Sequence, residues 1–197
     1  MKKTFNTLNI VTTAMLCAVC VVLSAAFHYL QLGSVGALIS PMHLPVFLAG
    51  ILCGPWLGLI CGVVSPVASF FVSGATNPRF PDRLITMIVE LAVYGFLSGL
   101  LRYVFLKNSK TNKFAAVLAL IIAMVAGRIV AAFVSAIFLT LVTTNEVSYF
   151  VNLGISLLGK FTSTWVGIII QLVLIPTILF ALKRSGVLVR YTPTLEE

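Results

Sequence analysis

The sequence is poor in charged residues, and this scarcity defines the class of protein. Only 9% of the 197 residues are charged, 60% are hydrophobic, and the mean hydropathy is +1.12. A soluble domain covers its surface with roughly a quarter charged residues. This chain cannot cover such a surface, so we expect an all-α integral membrane protein surrounded by lipid.

Acidic residues are especially scarce, and the motifs of common enzymes are missing. The chain has five Asp and Glu residues, and no apolar segment contains a pair of them. It also lacks a Walker loop, an H-E-x-x-H motif and a G-x-S-x-G motif. We therefore predict no catalytic residues, no enzyme activity, no metal and no cofactor. The net charge of +8 comes from loops and tails, which does not indicate nucleic-acid binding.

The four cysteines all lie in apolar segments, at positions 17, 20, 53 and 61. Cys17 and Cys20 form a C-x-x-C pair, but no second ligand pair accompanies it, as a zinc site would require. We interpret the cysteines as small packing residues of helices.

Six apolar segments predict six transmembrane helices in a single domain that covers residues 1–197. A helix needs about 20 mostly apolar residues to cross a membrane. The segments lie at about residues 8–30, 42–53, 56–72, 84–106, 114–142 and 155–182. The second is too short to cross alone, and Gly54-Pro55 separates it from the third. It is either extended backward through residues 35–40 or a partial, irregular helix, which membrane proteins tolerate beside a cavity.

The basic residues of the loops predict that both termini face the cytoplasm, because cytoplasmic loops are enriched in Lys and Arg. In a six-span arrangement one side carries most of them: Lys2, Lys3, Arg102, Lys107, Lys110, Lys113, Lys183, Arg184 and Arg190. The other side carries Arg79, Arg83 and Lys160, with Asp82 and Glu146 among them.

Two ionisable residues inside the apolar segments predict a binding site. Arg128 lies in the middle of the fifth segment, where a charge costs about 2.5–3.5 kcal/mol on insertion scales. Glu90 is the only acidic residue within an apolar segment, and Tyr94 follows one turn deeper on the same face. We expect a polar pocket between helices here. A direct ion pair, a bridging ligand or water, and a purely structural pair all remain open.

Further polar and aromatic residues are candidates for the same pocket. Met42 and His43 lie between two prolines, where His43 either contacts a ligand or stays hydrated at the membrane interface. Asn152 precedes the sixth segment and is placed to contribute an amide at the pocket mouth. Trp165 is either an interfacial aromatic residue or a stacking wall. Gln171 lies in mid-span and should face the interior.

The first segment contains an A-x-x-x-A motif formed by Ala14 and Ala18. Small residues at this spacing allow close helix packing. The motif therefore serves either packing within the subunit or docking of another membrane subunit.

Several of these features occur together in one known family. They are the Ala14/Ala18 motif, Ser40-Pro41-Met42-His43-Leu44-Pro45-Val46 with Gly50 and Cys53-Gly54-Pro55, Glu90-Leu91 with Tyr94-Gly95, Gly127-Arg128-Ile129-Val130, and Ile168-Ile169-Ile170-Gln171-Leu172 with Ile175-Pro176. In this order and over almost the full length, the chain resembles the substrate-binding S components of energy-coupling factor (ECF) transporters, which import vitamins in bacteria and archaea.

The resemblance implies a prokaryotic plasma-membrane protein that binds a vitamin on the extracellular side. It implies docking to a coupling transmembrane subunit driven by two cytoplasmic ATPases, with Ala14 and Ala18 on the docking face. The bound subunit would topple in the membrane to deliver the vitamin. The ligand-contacting candidates would be Met42, His43, Glu90, Tyr94, Arg128, Asn152 and Trp165.

Other readings of the sequence remain. A stand-alone secondary carrier would need no ATPase and usually shows an internal repeat, which we do not find. A small membrane enzyme would need a nucleophile–base or metal cluster, and a structural scaffold would bind no ligand. The vitamin itself is not readable; the aromatic content favours a pyridine- or pyrimidine-type ring, such as pyridoxine or a hydroxymethylpyrimidine, with pantothenate as another candidate.

Overall fold

The structure is a computed structural model that describes residues 5–30, 41–72, 82–101, 113–142 and 149–185. These residues form six helices and no strand, which confirms the all-α prediction. The helices are α1 (Thr7–Tyr29), α2 (His43–Cys53), α3 (Pro55–Val72), α4 (Asp82–Leu100), α5 (Lys113–Val142) and α6 (Tyr149–Arg184).

Within the described residues, four helical stretches are long and apolar enough to cross a membrane. They are Thr7–Tyr29, Pro55–Val72, Leu120–Phe138 and Trp165–Leu182. Helix α2 and the apolar part of α4, Leu84–Leu100, are shorter. Six crossings, the single domain and the cytoplasmic termini therefore stay predictions. Most charges used to predict the orientation lie outside the described residues: Lys2, Lys3, Arg79, Arg102, Lys107, Lys110, Glu146 and Arg190.

Contacts between side chains give the direction of each helix. Helix α3 runs parallel to α1, since Ser24 contacts Ser69 and Tyr29 reaches the carbonyl oxygen of Val72 at 3.0 Å. Helix α4 runs antiparallel to both α3 and α5, and α6 runs antiparallel to α5. Helix α4 packs against α2, α3 and α5, so it is the centre of the described bundle.

Helix α2 is a partial helix that begins inside the bundle. It has 11 residues, which corresponds to about 16 Å or half of a bilayer core. Its first turn lies level with the middle of α1, because the Cys20 thiol lies 3.5 Å from the carbonyl oxygen of Met42. It ends at Gly54, whose φ of 102° is open to glycine but strained for other residues. Helix α3 starts at the next residue, so the predicted break at Gly54-Pro55 is present.

Glycines bring the backbones of α2, α3 and α4 into direct contact. A Cβ atom added to Gly95 would meet the carbonyl group of Gly58, and one added to Gly58 would meet the carbonyl group of Gly95. A Cβ atom on Gly50 would also meet the Gly95 carbonyl oxygen. Such close approach is how membrane helices gain packing energy without a hydrophobic driving force. The three helices therefore form a tightly packed unit, which we call the glycine interface.

Helix α1 lies at the edge of the bundle and packs mainly against α2 and α3. Its buried side carries Cys20, and Ala14 and Ala18 are exposed on its outer side. All four cysteines are free thiols, and three of them are buried. Their position in the packed interior agrees with the interpretation as packing residues.

Candidate functional site

The start of α2 places His43 beside Glu90 of α4. Nε2 of His43 lies 3.6 Å from Oε1 of Glu90, and the two side chains are only 11% and 13% exposed. Because α2 begins level with the middle of α1, this contact lies in the interior of the bundle. The N-terminal end of a helix carries a partial positive charge, which favours a carboxylate at this place.

Tyr94 joins the same group from one turn further along α4. Its hydroxyl donates a 3.0 Å hydrogen bond to Oε1 of Glu90, as expected for neighbours four residues apart on a helix. Its fully buried ring stacks on Phe47 at a centroid distance of 5.0 Å and lies 5.1 Å from the His43 ring. Aromatic pairs at such distances add about 0.5–1.5 kcal/mol to the packing of the buried ring.

Helix α5 brings Arg128 to the neighbourhood of Tyr94, because the α5 backbone packs closely against Tyr94 at Gly127. A Cβ atom on Gly127 would collide with the Tyr94 ring, so this ring lies directly against the α5 backbone. Arg128 is 1% exposed and close enough to act electrostatically on Tyr94, as Glu90 also does. The predicted cation and anion therefore share Tyr94 as a neighbour. We call His43, Glu90, Tyr94 and Arg128 the inner cluster.

The inner cluster combines hydrogen-bonding groups of both kinds with aromatic walls. Arg128 takes part in interactions, yet its buried Nε and Nη2 atoms make no hydrogen bond to the described residues. Glu90 accepts a hydrogen bond from Tyr94, and the buried, stacked rings of Tyr94 and Phe47 form an aromatic wall beside it. A buried cation, a carboxylate and stacked rings suit the binding of a small polar molecule. Gln171 is buried on α6, so its side chain faces the interior as predicted.

Two further polar contacts lie towards the end of the bundle where α4 and α6 begin. Ser135 of α5 donates to Oγ1 of Thr86 at 3.3 Å, and Nδ2 of Asn152 donates to Oγ1 of Thr140 at 3.1 Å. Thr140 follows Arg128 by 12 residues, so Asn152 lies about 18 Å from the level of Arg128. The structure thus buries Asn152 but places it at the bundle end rather than in the inner cluster.

Sequence reasoning overlooked Thr86 and Ser135. Both lie on the faces of the inner-cluster residues, four residues before Glu90 and seven after Arg128. This helical spacing is a signal that could have identified them. They were missed because a lone hydroxyl in an apolar helix is usually satisfied by the backbone of its own helix.

The remaining predicted residues lie outside the inner cluster or at its edge. Met42 is buried beside His43 and contacts α1 through its carbonyl oxygen. Trp165 of α6 is 57% exposed, so most of its ring faces away from the bundle interior. Its position agrees better with the interfacial or lipid-facing reading than with a stacking wall. Among the described residues, no group of three or more His, Cys, Asp or Glu side chains is arranged to hold a metal ion.

Comparison with known families supplies independent information about the chain. The family model for the ECF transporter, substrate-specific component, matches residues 8–180. The chain belongs to this ECF family. No curated protein and no solved structure matches it.

Family membership confirms the resemblance noted in the sequence. Members are substrate-specific components of membrane transporters, so this ECF component binds a small-molecule substrate and works with other ECF subunits in a membrane. The apolar helices agree with a multi-pass membrane protein. The family consists of transporter components rather than enzymes.

Proposed function

We propose that this ECF component captures a vitamin or vitamin precursor at the extracellular side and delivers it into the cell as part of an ATP-driven importer. The observation that carries the proposal is the inner cluster. A buried arginine, a carboxylate, an imidazole and a stacked tyrosine come together inside a largely apolar bundle. Ionisable residues at membrane depth are costly and mark substrate sites.

The chemistry of the inner cluster favours an aromatic nitrogen heterocycle. The buried rings of Phe47 and Tyr94 stack on each other beside His43 and Glu90, and a flat ligand ring would join this stack once the side chains move apart. Glu90 can accept from a ring amine or hydroxyl, and Arg128 can donate to an oxygen or a ring nitrogen. Pyridoxine and a hydroxymethylpyrimidine carry such groups on a flat ring. Pantothenate carries an anion that suits Arg128 but has no ring to stack.

The proposed ligand contacts differ in the support they have. His43, Glu90, Tyr94 and Arg128 are grouped in the structure, and Met42 lies beside His43. Asn152 would act at the mouth of the site and not at its base, because it lies at the end of the bundle. Trp165 would contact a ligand only if α6 rotated, since its ring is mostly exposed.

Substrate delivery would use docking of α1 to the coupling transmembrane subunit, which two cytoplasmic ATPases drive. Ala14 and Ala18 support this because they lie exposed on the outer side of the edge helix. Small residues there allow a partner helix to approach closely. The prokaryotic plasma membrane and cytoplasmic termini are part of the proposal.

Mass spectrometry of the small molecules released from purified protein tests the binding proposal. We expect a pyridine- or pyrimidine-type compound in a one-to-one ratio, and calorimetric titration with this compound should give saturable binding. Glu90→Gln should weaken that binding, because it removes the charge beside His43 and Tyr94. A preparation that releases no small molecule and binds none of the candidate vitamins would contradict the proposal.

Uptake into vesicles separates an ECF component from a stand-alone carrier. We expect vitamin uptake only when the coupling subunit, the ATPases and ATP are present, and uptake by the chain alone would favour the carrier. Ala14→Trp or Ala18→Trp should abolish ATP-driven uptake without changing ligand affinity. Ala181→Trp is the control, because Ala181 is exposed on α6 near the same end of the bundle. Normal uptake by the Ala14→Trp and Ala18→Trp variants would remove the docking role of α1.

A further inference from the structure

Helix α4 carries polar groups beyond the inner cluster on the same buried face. Thr86, Glu90 and Tyr94 follow one another every four residues, and their side chains are 5%, 13% and 0% exposed. Residues at this spacing form a stripe along one side of a helix. The stripe continues from the inner cluster towards the end of the bundle where α4 begins.

Helix α5 follows this stripe in a constant register. Tyr94 lies against Gly127, and Thr86 lies against Ser135. The two contacts are therefore eight residues apart on α4 and also eight residues apart on α5. Eight residues correspond to about 12 Å. The two contacts therefore mark the ends of one segment of the α4–α5 interface. This segment has about the length of an aromatic ring with its substituents.

The buried side chains of α5 that lie level with Glu90 in this segment are small. In the register set by the two contacts, Ala131 is opposite Glu90, and the neighbouring Ala132 is also fully buried. Alanines leave the carboxylate of Glu90 flanked by little bulk. Arg128 follows Gly127 at one end of the segment, and the hydroxyls of Thr86 and Ser135 lie at the other.

The hydroxyl pair at this end is only loosely bonded. The Ser135 hydroxyl lies 3.3 Å from Thr86 Oγ1, whereas hydroxyl–hydroxyl bonds are usually about 2.7–2.8 Å long. Hydroxyls of Thr140, Thr162 and Thr177 instead donate to the carbonyl group four residues earlier, at 2.8, 2.7 and 2.6 Å. Ser135 directs its only proton across the helix interface, so a ligand group could replace Thr86 as its partner at little cost.

We propose that Thr86 and Ser135 are specificity-determining residues of the substrate site. They hydrogen-bond a hydroxyl group on the end of the ligand opposite to the end that Arg128 contacts, and so select hydroxymethyl-bearing rings over their methyl analogues. This inference rests on the proposed function, because it takes the inner cluster as the place where the ligand ring binds.

Two pairs of probes test the selection. They are pyridoxine with its analogue lacking one hydroxymethyl hydroxyl, and the hydroxymethylpyrimidine with its methyl analogue. Calorimetric titration of the full chain should show that the wild-type protein prefers the hydroxymethyl compound of at least one pair by about tenfold, the size of one buried hydrogen bond. Thr86→Val and Ser135→Ala should each reduce this preference to about threefold or less. Affinity for the methyl compound should stay the same.

Two further variants separate selection from helix packing. Thr86→Ser keeps the hydroxyl and should retain the preference, whereas Thr177→Val removes an exposed α6 hydroxyl and should change nothing. A pair that only fastens α4 to α5 would behave differently. Its loss would lower the unfolding temperature and would weaken the binding of both compounds of a pair equally. An unchanged ratio of the two affinities therefore overturns the inference.

The test also separates this inference from the proposed function. If the wild-type protein binds none of the four probes, the ring-type substrate is wrong, and the decisive quantity becomes the amount of co-purified small molecule retained. If the Thr86→Val and Ser135→Ala variants then retain as much of this small molecule as the wild type does, the inference is overturned. Lower retention at an unchanged unfolding temperature supports it.

Discussion

Helix α4 has two regions that differ in what they place at its surface. Its glycine side presents Gly95 and Gly99 to α2 and α3, where backbone meets backbone. Its polar stripe presents Thr86, Glu90 and Tyr94 to the first turn of α2 and to α5. Close backbone contact cannot be adjusted without moving whole helices, whereas side chains can reorient. The comparison indicates that one helix fixes the bundle with one side and carries the proposed substrate site with the other.

The largest effect on stability is expected in the glycine interface. Gly95→Ala adds a Cβ atom against the Gly58 carbonyl group, and overpacking of this kind costs about 1–3 kcal/mol or more. We expect the unfolding temperature in detergent to fall by roughly 5–10 °C. Gly154→Ala is the control, since its Cβ atom would meet nothing within 4 Å. Equal unfolding temperatures for both variants would show that the glycine interface is not tightly packed.

The largest effect on binding is expected from Arg128→Met. The substitution keeps an unbranched apolar stem but removes the charged guanidinium donor, and hydrogen bonds to charged groups contribute about 1.5–3 kcal/mol. Affinity for the released compound should fall by about 10- to 100-fold in a calorimetric titration. Arg184→Met, at the exposed end of α6, should bind normally. Normal affinity of the Arg128 variant would make this arginine a structural residue.

Effects of intermediate size on stability and on binding are expected at Gly127, where the backbone of α5 packs against the side chain of Tyr94. A Cβ atom here would strike the ring of Tyr94, which is a side chain and can shift. Gly127→Ala should therefore lower the unfolding temperature less than Gly95→Ala does. The displaced ring should lower ligand affinity by about tenfold, or roughly 1.4 kcal/mol. A variant that is strongly destabilised but binds normally would reverse the assignment of the two regions.

The smallest effect is expected from Tyr94→Phe. The ring and its stacking on Phe47 remain, and only the hydrogen bond to Glu90 is lost. Affinity should fall by about three- to tenfold, which is the usual range for a single hydrogen bond. Tyr29→Phe removes a comparable hydroxyl at the α1–α3 end and serves as the matched control. Similar affinities of the two variants would show that the Tyr94 hydroxyl does not position Glu90 for the ligand.

The sequence predicted which ionisable residues lie in the interior, but it did not predict how they are arranged. Arg128 and Glu90 stood out because charge inside an apolar segment is costly, and they are 1% and 13% exposed. Their relation through Tyr94 could not be read from the sequence, because it depends on the register of α4 against α5. The position of Trp165 was equally undetermined, since a helix with apolar residues on every side gives no periodic signal for its inner face.

The second apolar segment shows the same limit. Its length and the following Gly54-Pro55 indicated a short or irregular helix, and an 11-residue helix is present. The sequence did not show that this helix starts in the interior of the bundle. That start is what brings His43 to Glu90, and it follows from contacts of α2 with α1 and α4.

Composition alone determined that this chain is a helical membrane protein with a few costly polar residues, and its ordered motifs pointed to the ECF family. Those properties depend on residue types and on spacing along one helix, which the sequence contains directly. The tertiary structure decided which polar residues meet, that Asn152 lies at the bundle end, and that Thr86 of the polar stripe contacts Ser135 of α5. Helix register and direction depend on packing between distant segments, where glycines let backbones approach and larger residues keep them apart.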